Sequence, residues 1–221
     1  MIEGHFVVLE GVDGAGTTTH TKLLADAIRS RGLPVHTTRE PSDGPVGSLI
    51  RQVLTGRVVV PGLRGVSAPS AHTMALLFAA DRLDHVDAEI LPNVMEGVSV
   101  ISDRYDHSSV AYQSVAATRD PGAIAWIREL NRHARRPDLT IVLDVRPEIA
   151  AKRRRQRYGK AELYEQDELQ ARLIAFYRDI EGHFPGERIV HVDAEREIAE
   201  TAEAVVRHVL ELRGDAPAAP R

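Results

Sequence analysis

A glycine-rich segment at residues 11–18 has the composition of a phosphate-binding turn. It follows a short β-branched run, Phe6–Glu10, and precedes an amphipathic stretch that begins at Thr18. Glycines let the backbone turn its N–H groups inward, and the N-terminus of the next helix adds a positive dipole end, so phosphate oxygens are bound there. We favour this over a glycine-rich turn without a ligand. The predicted phosphate-binding residues are Gly11, Val12, Asp13, Gly14, Ala15, Gly16, Thr17 and Thr18.

The segment departs from the P-loop pattern G-x-x-x-x-G-K-[ST] at one position, where Thr17 replaces the lysine. That lysine normally bridges two phosphates as a point charge. Thr17 can donate only a neutral hydrogen bond, and charge-assisted bonds are about twice as strong as neutral ones. Lys22 lies about 140° round the helix and is not expected to substitute. Either another part of the chain supplies the missing charge, or activity is reduced.

A carboxylate that could accompany a metal follows a second apolar run. Val98–Ser102 reads as a strand that ends on Asp103, and the carboxyl ends of strands are where open α/β sheets bind ligands. A hydrophobic strand ending in Asp near a P-loop is the Walker-B arrangement. We therefore expect Asp103 and the hydroxyl of Thr18 to be the Mg²⁺ ligands.

The densest positive patch is Lys152–Lys160, KRRRQRYGK. A run of charges is usually a solvated helix face. Its position after the predicted strand Leu139–Leu143 is also the one at which the family resemblance given below implies a mobile lid, which we place at about residues 152–165.

Strands alternate with helices along the chain, and this alternation predicts βαβ units. We therefore expect an α/β protein with the P-loop NTPase fold, a parallel sheet core with helices on both faces and a mobile lid. The predicted strands are Phe6–Glu10, Val35–Thr38, Val98–Ser102, Leu139–Leu143 and Arg188–Val192. The predicted helices are Thr18–Arg31, Val46–Leu54, Ala71–Glu96 (broken or ended near Pro92), Gly122–Ala134, Ile149–Arg157, Glu165–Glu181 and Ile198–Leu212, and Arg57–Ser70 is predicted to be a loop.

Composition narrows the function classes. The 221 residues suit a single domain, predicted at 1–214, with a disordered tail at 215–221. The formal net charge of −4 argues against nucleic acid as the main partner. Without cysteine there is neither a thiolate metal site nor a thiol nucleophile. No apolar run approaches the ~18 residues of a membrane span, and the chain enters a strand without a signal segment, so we expect a cytoplasmic location.

Six motifs together resemble the thymidylate kinase family. They lie in the family's order and cover nearly the whole chain: LEGVDGAGTTT, TREP, LLFAADR, ISDRYDHSSVAYQ, RPDLTIVLD and HVDA. The resemblance implies transfer of the γ-phosphoryl of ATP to dTMP, giving dTDP and ADP for dTTP synthesis, with ATP and Mg²⁺ bound. It also implies a homodimer built on the helices around Ala71–Glu96.

The resemblance also assigns substrate contacts. It implies that Asp13 meets the sugar 3′-hydroxyl, and that Arg104 and Arg51 hold the monophosphate. The residues that it places at or near the base are Phe78, Arg82, Ser109 and Gln113. An arginine fork suits phosphate and an aromatic face suits a base.

Some of these residues have simpler readings. Phe78 lies in an apolar stripe and could belong to the core. Arg51 could be a solvated helix residue, and Arg104 could form an internal ion pair with Asp103. Arg39 and Glu40 are expected to pair with each other, outside the substrate site.

The lid is expected to supply catalytic charge. The resemblance implies this, because family members with glycine at the position of Gly14 take a catalytic arginine from the lid. In this sequence Leu163–Glu165 departs from the family pattern just after the basic run, so the acting arginine is not assigned by position. Arg153 and Arg157, four residues apart, are the preferred candidates because they share a helix face.

Three functions remain open from the sequence. The first is an active dTMP kinase in which Asp103 orients the Mg²⁺ shell, Arg104 the acceptor phosphate and a lid arginine the donor γ-phosphate. The second is a kinase for another nucleoside monophosphate or a deoxynucleoside. The third, suggested by Thr17, is a catalytically impaired module that binds nucleotides without turnover.

Overall fold

The computed structural model of the protein describes residues 4–62, 65–116, 122–158 and 163–214. The strands are β1 (Phe6–Glu10), β2 (Val35–Arg39), β3 (Val60–Gly62), β4 (Gly65–Ser67), β5 (Ser99–Asp103), β6 (Leu139–Asp144) and β7 (Ile189–Asp193). The helices are α1 (Thr17–Arg29), α2 (Pro45–Leu54), α3 (Ala71–His85), a π-helical turn (Val86–Ile90), α4 (Leu91–Met95), α5 (Asp106–Ala116), α6 (Ala123–Leu130), α7 (Pro147–Tyr158), α8 (Leu163–Arg178), α9 (Ile180–His183) and α10 (Ile198–Arg213).

Five strands form one parallel sheet in the order β2–β5–β1–β6–β7. The central strand β1 pairs with β5 on one side and β6 on the other, and Leu9 lies opposite Asp103 in the register with β5. The carboxyl end of β1, which leads into the glycine-rich turn, therefore lies beside Asp103. The predicted α/β fold with a parallel sheet is confirmed.

Both faces of β1 are covered, because successive side chains of a strand point to opposite sides. Val7 and Leu9 belong to a large buried cluster that includes Leu24 of α1 and Val209 of α10. The alternate side chains of β1 belong to a smaller cluster with the π-helical turn and α4; its members include Phe6, Val8, Val86, Ile90 and Val94. A strand buried on both faces explains the continuous apolar run FVVL.

Residues 57–70, predicted to be a loop, contain an antiparallel hairpin in which Val60 pairs with Ser67. The loop prediction was wrong here, because the glycines and prolines of this segment concealed a β-branched run at Val58–Val60. The predicted long helix Ala71–Glu96 is observed as three successive helical elements, of which the π-helical turn ends two residues before Pro92. Ile90 and Leu91 are themselves helical, so Pro92 lies within a continuous helical stretch and its missing N–H removes one interior hydrogen bond there, beside the π-helical turn.

Helix α5 is another element that the sequence analysis did not assign. The domain limits 1–214 stay a prediction. The predicted tail at 215–221 lies outside the described residues, as does part of the predicted lid at 159–162. Among the helices of the described ranges, none has both the length and the apolar character needed to cross a membrane.

Candidate active site

The glycine-rich turn connects β1 to α1 in a conformation that depends on its glycines. Gly16 is the N-cap of α1 with a φ of 101°, and no side chain caps the helix, so its first N–H groups are left for a ligand. Gly14 has a φ of 94°, and a Cβ there would lie 2.6 Å from the carbonyl oxygen of Ala150. Both positions therefore favour glycine, the second because helix α7 packs directly on the turn.

A cavity of about 340 Å³, here called the loop cavity, opens over this turn. It is lined by Asp13, Gly14, Gly16, Thr17, Thr18, Thr19, Arg104, Arg153 and Arg154. Thr17 is buried and contributes no charge. Three guanidinium groups border the space, so the cavity has positive charge although the P-loop lysine is absent.

Thr18 and Asp103 meet at the edge of the loop cavity. The Thr18 hydroxyl donates to Oδ2 of Asp103 at 2.5 Å, and Oδ1 of Asp103 is buried without a hydrogen-bond partner among the described residues. Mg²⁺ prefers such oxygen ligands and commonly uses one or two carboxylates together with substrate phosphates and waters. The unpaired buried oxygen of Asp103 beside the Thr18 hydroxyl makes this pair the candidate ion site.

Two arginines of α7 reach the phosphate-binding turn. Arg153 donates to the carbonyl oxygen of Ala194 at 2.9 Å and approaches that of Gly14 at 3.5 Å. Arg154 donates to the carbonyl oxygen of Asp13 at 3.0 Å. The sequence analysis did not select Arg154, because helical spacing alone does not say which face of α7 docks on the turn. Arg157, the other predicted residue, has its side chain outside the described residues.

A second cavity, of about 350 Å³, lies along helix α5 and is called the α5 cavity. Its lining residues are Asp13, Glu40, Pro41, Leu54, Phe78, Arg82, Arg104, Tyr105, Ser108, Ser109, Tyr112 and Gln113. Asp13 and Arg104 line both cavities, so the two spaces meet at these side chains.

Arg104 is held where the cavities meet. Its Nη1 donates to the carbonyl oxygen of Gly11 at 2.9 Å and to Oγ of Ser108 at 3.0 Å, and its Nη2 donates to Asp13 at 2.7 Å. Burial disfavours its charge, but the surrounding phenol and carboxylate oxygens raise the pKa of Arg104 well above the ordinary value. Its φ of 74° is uncommon for a residue with a side chain. Arg104 is not bonded to Asp103, so the internal pair considered from the sequence does not form.

The part of the α5 cavity lining that is not shared with the loop cavity, here called its far end, includes an aromatic face and an unpaired amide. Phe78 is half-buried and belongs to neither hydrophobic cluster, so its ring faces the cavity as part of the lining. Gln113 is only 8% exposed, and neither its amide oxygen nor its amide nitrogen has a hydrogen-bond partner in the described part of the chain. A buried amide without partners is costly, and a planar ligand with donors and acceptors at its edge would satisfy it.

Arg82 lies behind this end of the cavity, fully buried. It donates to Glu40 and Asn131, and at 2.9 Å to Ser109. Arg39 instead contacts Asp43 at 2.8 Å, so the expected pairing of Arg39 with Glu40 was wrong. Glu40 lines the cavity as the partner of Arg82, a role that the sequence did not indicate.

Of the seven predicted substrate contacts, Arg51 is the one that lines neither cavity. Its guanidinium donates to the carbonyl oxygens of Pro41 and Ser42 and lies 3.3 Å from Asp43. It therefore holds the loop between β2 and α2, whose Pro41 lines the α5 cavity.

Tyr112 is a further lining residue that the sequence analysis missed. Its ring lies 5.3 Å from the Arg104 guanidinium carbon, and burial raises the pKa of its phenol, which keeps its proton. Recognition of α5 as a helix would have found it. At helical spacing Ser108 and Tyr112 share a face, and Ser109 and Gln113 share the adjacent one.

Comparisons with known proteins agree with this geometry. A family model described as Thymidylate kinase matches residues 9–205. A "Probable thymidylate kinase" of Pyrococcus abyssi is 39% identical over 210 residues, which cover 95% of this chain and 98% of that protein. The corresponding protein of Pyrobaculum aerophilum is 46% identical over 162 residues, 72% of this chain and 74% of its own. A "Thymidylate kinase" of Cutibacterium acnes is 36% identical over 212 residues, with 93% and 96% covered. On this evidence the chain belongs to the thymidylate kinase family.

Proposed function

We propose that the protein transfers the γ-phosphoryl group of ATP to dTMP, giving dTDP and ADP. The observation that carries this proposal is the meeting of the two cavities at Asp13 and Arg104. In-line phosphoryl transfer needs donor and acceptor phosphates held end to end, and the enzyme acts by positioning and by stabilising charge. A nucleotide-binding module without turnover would not need a second cavity joined to the phosphate-binding turn.

The loop cavity is the proposed donor site. The N–H groups at the start of α1 bind phosphate oxygens, and Arg153 and Arg154 supply the positive charge that Thr17 lacks. Thr18 and Asp103 are the proposed ligands of Mg²⁺, which when bound neutralises charge on the donor phosphates. Arg104 holds the acceptor phosphate, and Asp13 beside it binds the sugar hydroxyl.

The far end of the α5 cavity is the proposed base site. The ring of Phe78 stacks on the pyrimidine, because an aromatic face is attractive to any base. The free amide of Gln113 reads the edge of the base, since an amide is both donor and acceptor. Arg82 and Ser109, bonded to each other, form the polar wall behind it.

A panel of nucleoside monophosphates tests the function directly. ADP production from ATP and Mg²⁺ is measured with dTMP, dUMP, dCMP, UMP and AMP as acceptors. Turnover with dTMP and a lower kcat/KM for the other acceptors is expected. Comparable or better turnover with another acceptor would shift the assignment to a different nucleotide kinase, and absence of turnover with every acceptor would leave only nucleotide binding.

Replacing Phe78 with alanine is expected to weaken dTMP binding by about 1–3 kcal/mol, the range for base–aromatic stacking. ATP binding is expected to stay unchanged, because Phe78 lines the α5 cavity and not the loop cavity. Titration calorimetry with each nucleotide measures both affinities. Equal losses for dTMP and ATP would contradict the stacking role and indicate damage to the fold as a whole.

A homodimer through α3 and a cytoplasmic location belong to the same proposal. Leu76 and Leu83 on α3 are 52% and 37% exposed, and Leu49 on the adjacent α2 is 39% exposed. Leu76 and Leu83 are seven residues apart on the helix and share a face, and exposed apolar side chains grouped on one face are typical of protein interfaces. Light scattering is expected to give twice the chain mass of 24.3 kDa, and a monomer mass would contradict the dimer.

A further inference from the structure

A buried carboxylate lies directly beneath the active site, outside the cavity linings and the contacts proposed above. Glu10 is the last residue of β1, has no exposed surface and precedes the phosphate-binding turn. Its Oε1 accepts from the backbone N–H groups of Tyr105 at 2.9 Å and Ser108 at 3.1 Å. Its Oε2 accepts from the Ser108 hydroxyl at 2.7 Å and from the Tyr177 hydroxyl at 2.8 Å. Four donors thus satisfy one carboxylate in the interior.

The Ser108 hydroxyl links Glu10 to Arg104. The Ser108 hydroxyl has a single proton, which it donates to Oε2 of Glu10, and its oxygen also lies 3.1 Å from the Tyr177 hydroxyl. The lone pairs of Ser108 Oγ are then free to accept, and Nη1 of Arg104 donates to that oxygen at 3.0 Å. Burial, and after it the charge of Glu10, raise the pKa of Tyr177 well above its ordinary value, so its phenol also keeps the proton that it donates.

The same network adds negative charge behind the guanidinium. Arg104 lies in a largely buried position, where an isolated charge would be costly. Glu10 and Asp13 border it from two sides, one through Ser108 and one by direct contact. The guanidinium is thus charged and oriented before any ligand binds.

We propose that Glu10 and Ser108 are positioning residues for the transfer reaction, which fix the guanidinium of Arg104 in the orientation that receives the acceptor phosphate, with Tyr177 holding Glu10 in place. This inference rests on the proposed function, because it assigns Arg104 to the acceptor. Pre-oriented groups lower the cost of binding and of reaching the transition state. Neither Glu10 nor Ser108 touches the transferred phosphoryl in this assignment.

Ser108→Ala is the main test, since it removes the one hydroxyl between Glu10 and Arg104. kcat/KM for dTMP is expected to fall about 10- to 100-fold, the loss expected for a hydrogen bond to a charged group. The KM for ATP is expected to stay unchanged. Ser108→Thr keeps the hydroxyl and is expected to restore most of the activity. An equal loss in Ser108→Thr, or a parallel rise in the KM of both substrates, would overturn the inference.

A double-mutant cycle separates positioning from a structural role. In the Arg104→Ala background, Ser108→Ala is expected to cause no further loss of kcat/KM for dTMP, because there is no guanidinium left to orient. Full additivity of the two losses would show that Ser108 does not act through Arg104. Thermal unfolding of each variant is measured alongside the kinetics. Tyr177→Phe leaves the Ser108–Arg104 bond in place, so it is expected to lose less kcat/KM for dTMP than Ser108→Ala.

The outcome is distinguishable from failure of the proposed function. If the wild-type protein does not phosphorylate dTMP, the functional proposal fails whatever the variants do. If the wild-type protein is active and Ser108→Ala has unchanged kinetics with dTMP, only the positioning role fails.

Discussion

Replacing Arg104 with alanine is expected to lower kcat/KM for dTMP by about 100-fold or more. The loss of a hydrogen bond to a charged group costs about 1.5–3 kcal/mol, and Arg104 makes more than one such bond in this assignment. Here Asp13 would lose its guanidinium partner and the acceptor phosphate its counter-charge. Because Arg104 lines both cavities, the loss should be seen in turnover as well as in dTMP affinity.

Arg104→Lys is expected to recover little of this activity. The guanidinium uses one nitrogen for Gly11 and Ser108 and the other for Asp13, and a single ammonium cannot reproduce that fork. Steady-state kinetics with varied dTMP measures both variants. Arg132→Ala is a matched control, because Arg132 is exposed, pairs with Glu129 and lines neither cavity. Near-wild-type kcat/KM in Arg104→Ala would remove Arg104 from the acceptor site.

The second large effect is expected at the lid arginines. Arginines that stabilise the transferred phosphoryl contribute about 10³–10⁵ in rate in related phosphoryl-transfer enzymes. Because Thr17 replaces the P-loop lysine, we expect binding of the donor phosphates to depend more strongly on these arginines than in a site that has the lysine. Arg154→Ala is therefore expected to lower kcat by about 10³-fold, and Arg153→Ala is expected to lower kcat by less. The affinity for dTMP is expected to stay intact, since neither residue lines the α5 cavity.

Restoring the lysine is expected to make the enzyme less dependent on the lid. Thr17 lines the loop cavity, so Thr17→Lys places an ammonium group at the donor phosphates. In the Arg154→Ala background this change is expected to recover part of the lost kcat, and a double-mutant cycle measures the coupling. Arg155→Ala is the matched control, an exposed arginine on the same helix that does not line the cavity. Strict additivity between positions 17 and 154 would show that the lid does not replace the lysine.

The fold could be predicted largely because its determinants are local or periodic. The apolar run of β1 and its alternation with helical stripes indicated a parallel sheet, and the observed order of strands agrees. Helix α5 and the hairpin of β3 and β4 were missed. In α5 the polar residues that serve the cavity weaken the apolar stripe, and in the hairpin the flanking glycines and prolines resemble those of a loop.

The sequence by itself determined the phosphate-binding turn and the carboxylate beside it. The turn depends on backbone conformations that only glycine adopts readily, as at Gly14 and Gly16, and these are encoded residue by residue. Asp103 could be placed because a residue that ends a central strand must lie at the carboxyl edge of the sheet, whatever surrounds it. The replacement of the P-loop lysine by Thr17 can likewise be read directly from the sequence.

Only the tertiary structure decided what the long side chains do. Arginine has several rotatable bonds, so its direction is set by partners that are distant in the chain. Arg154 reaches Asp13 across 141 residues of sequence, whereas Arg51 turns onto a nearby loop and away from the cavities. Glu10 shows the same dependence, because its partners Ser108 and Tyr177 are 98 and 167 residues away. Such contacts exist only once the sheet has brought β1, α5 and α8 together, and no local pattern encodes them.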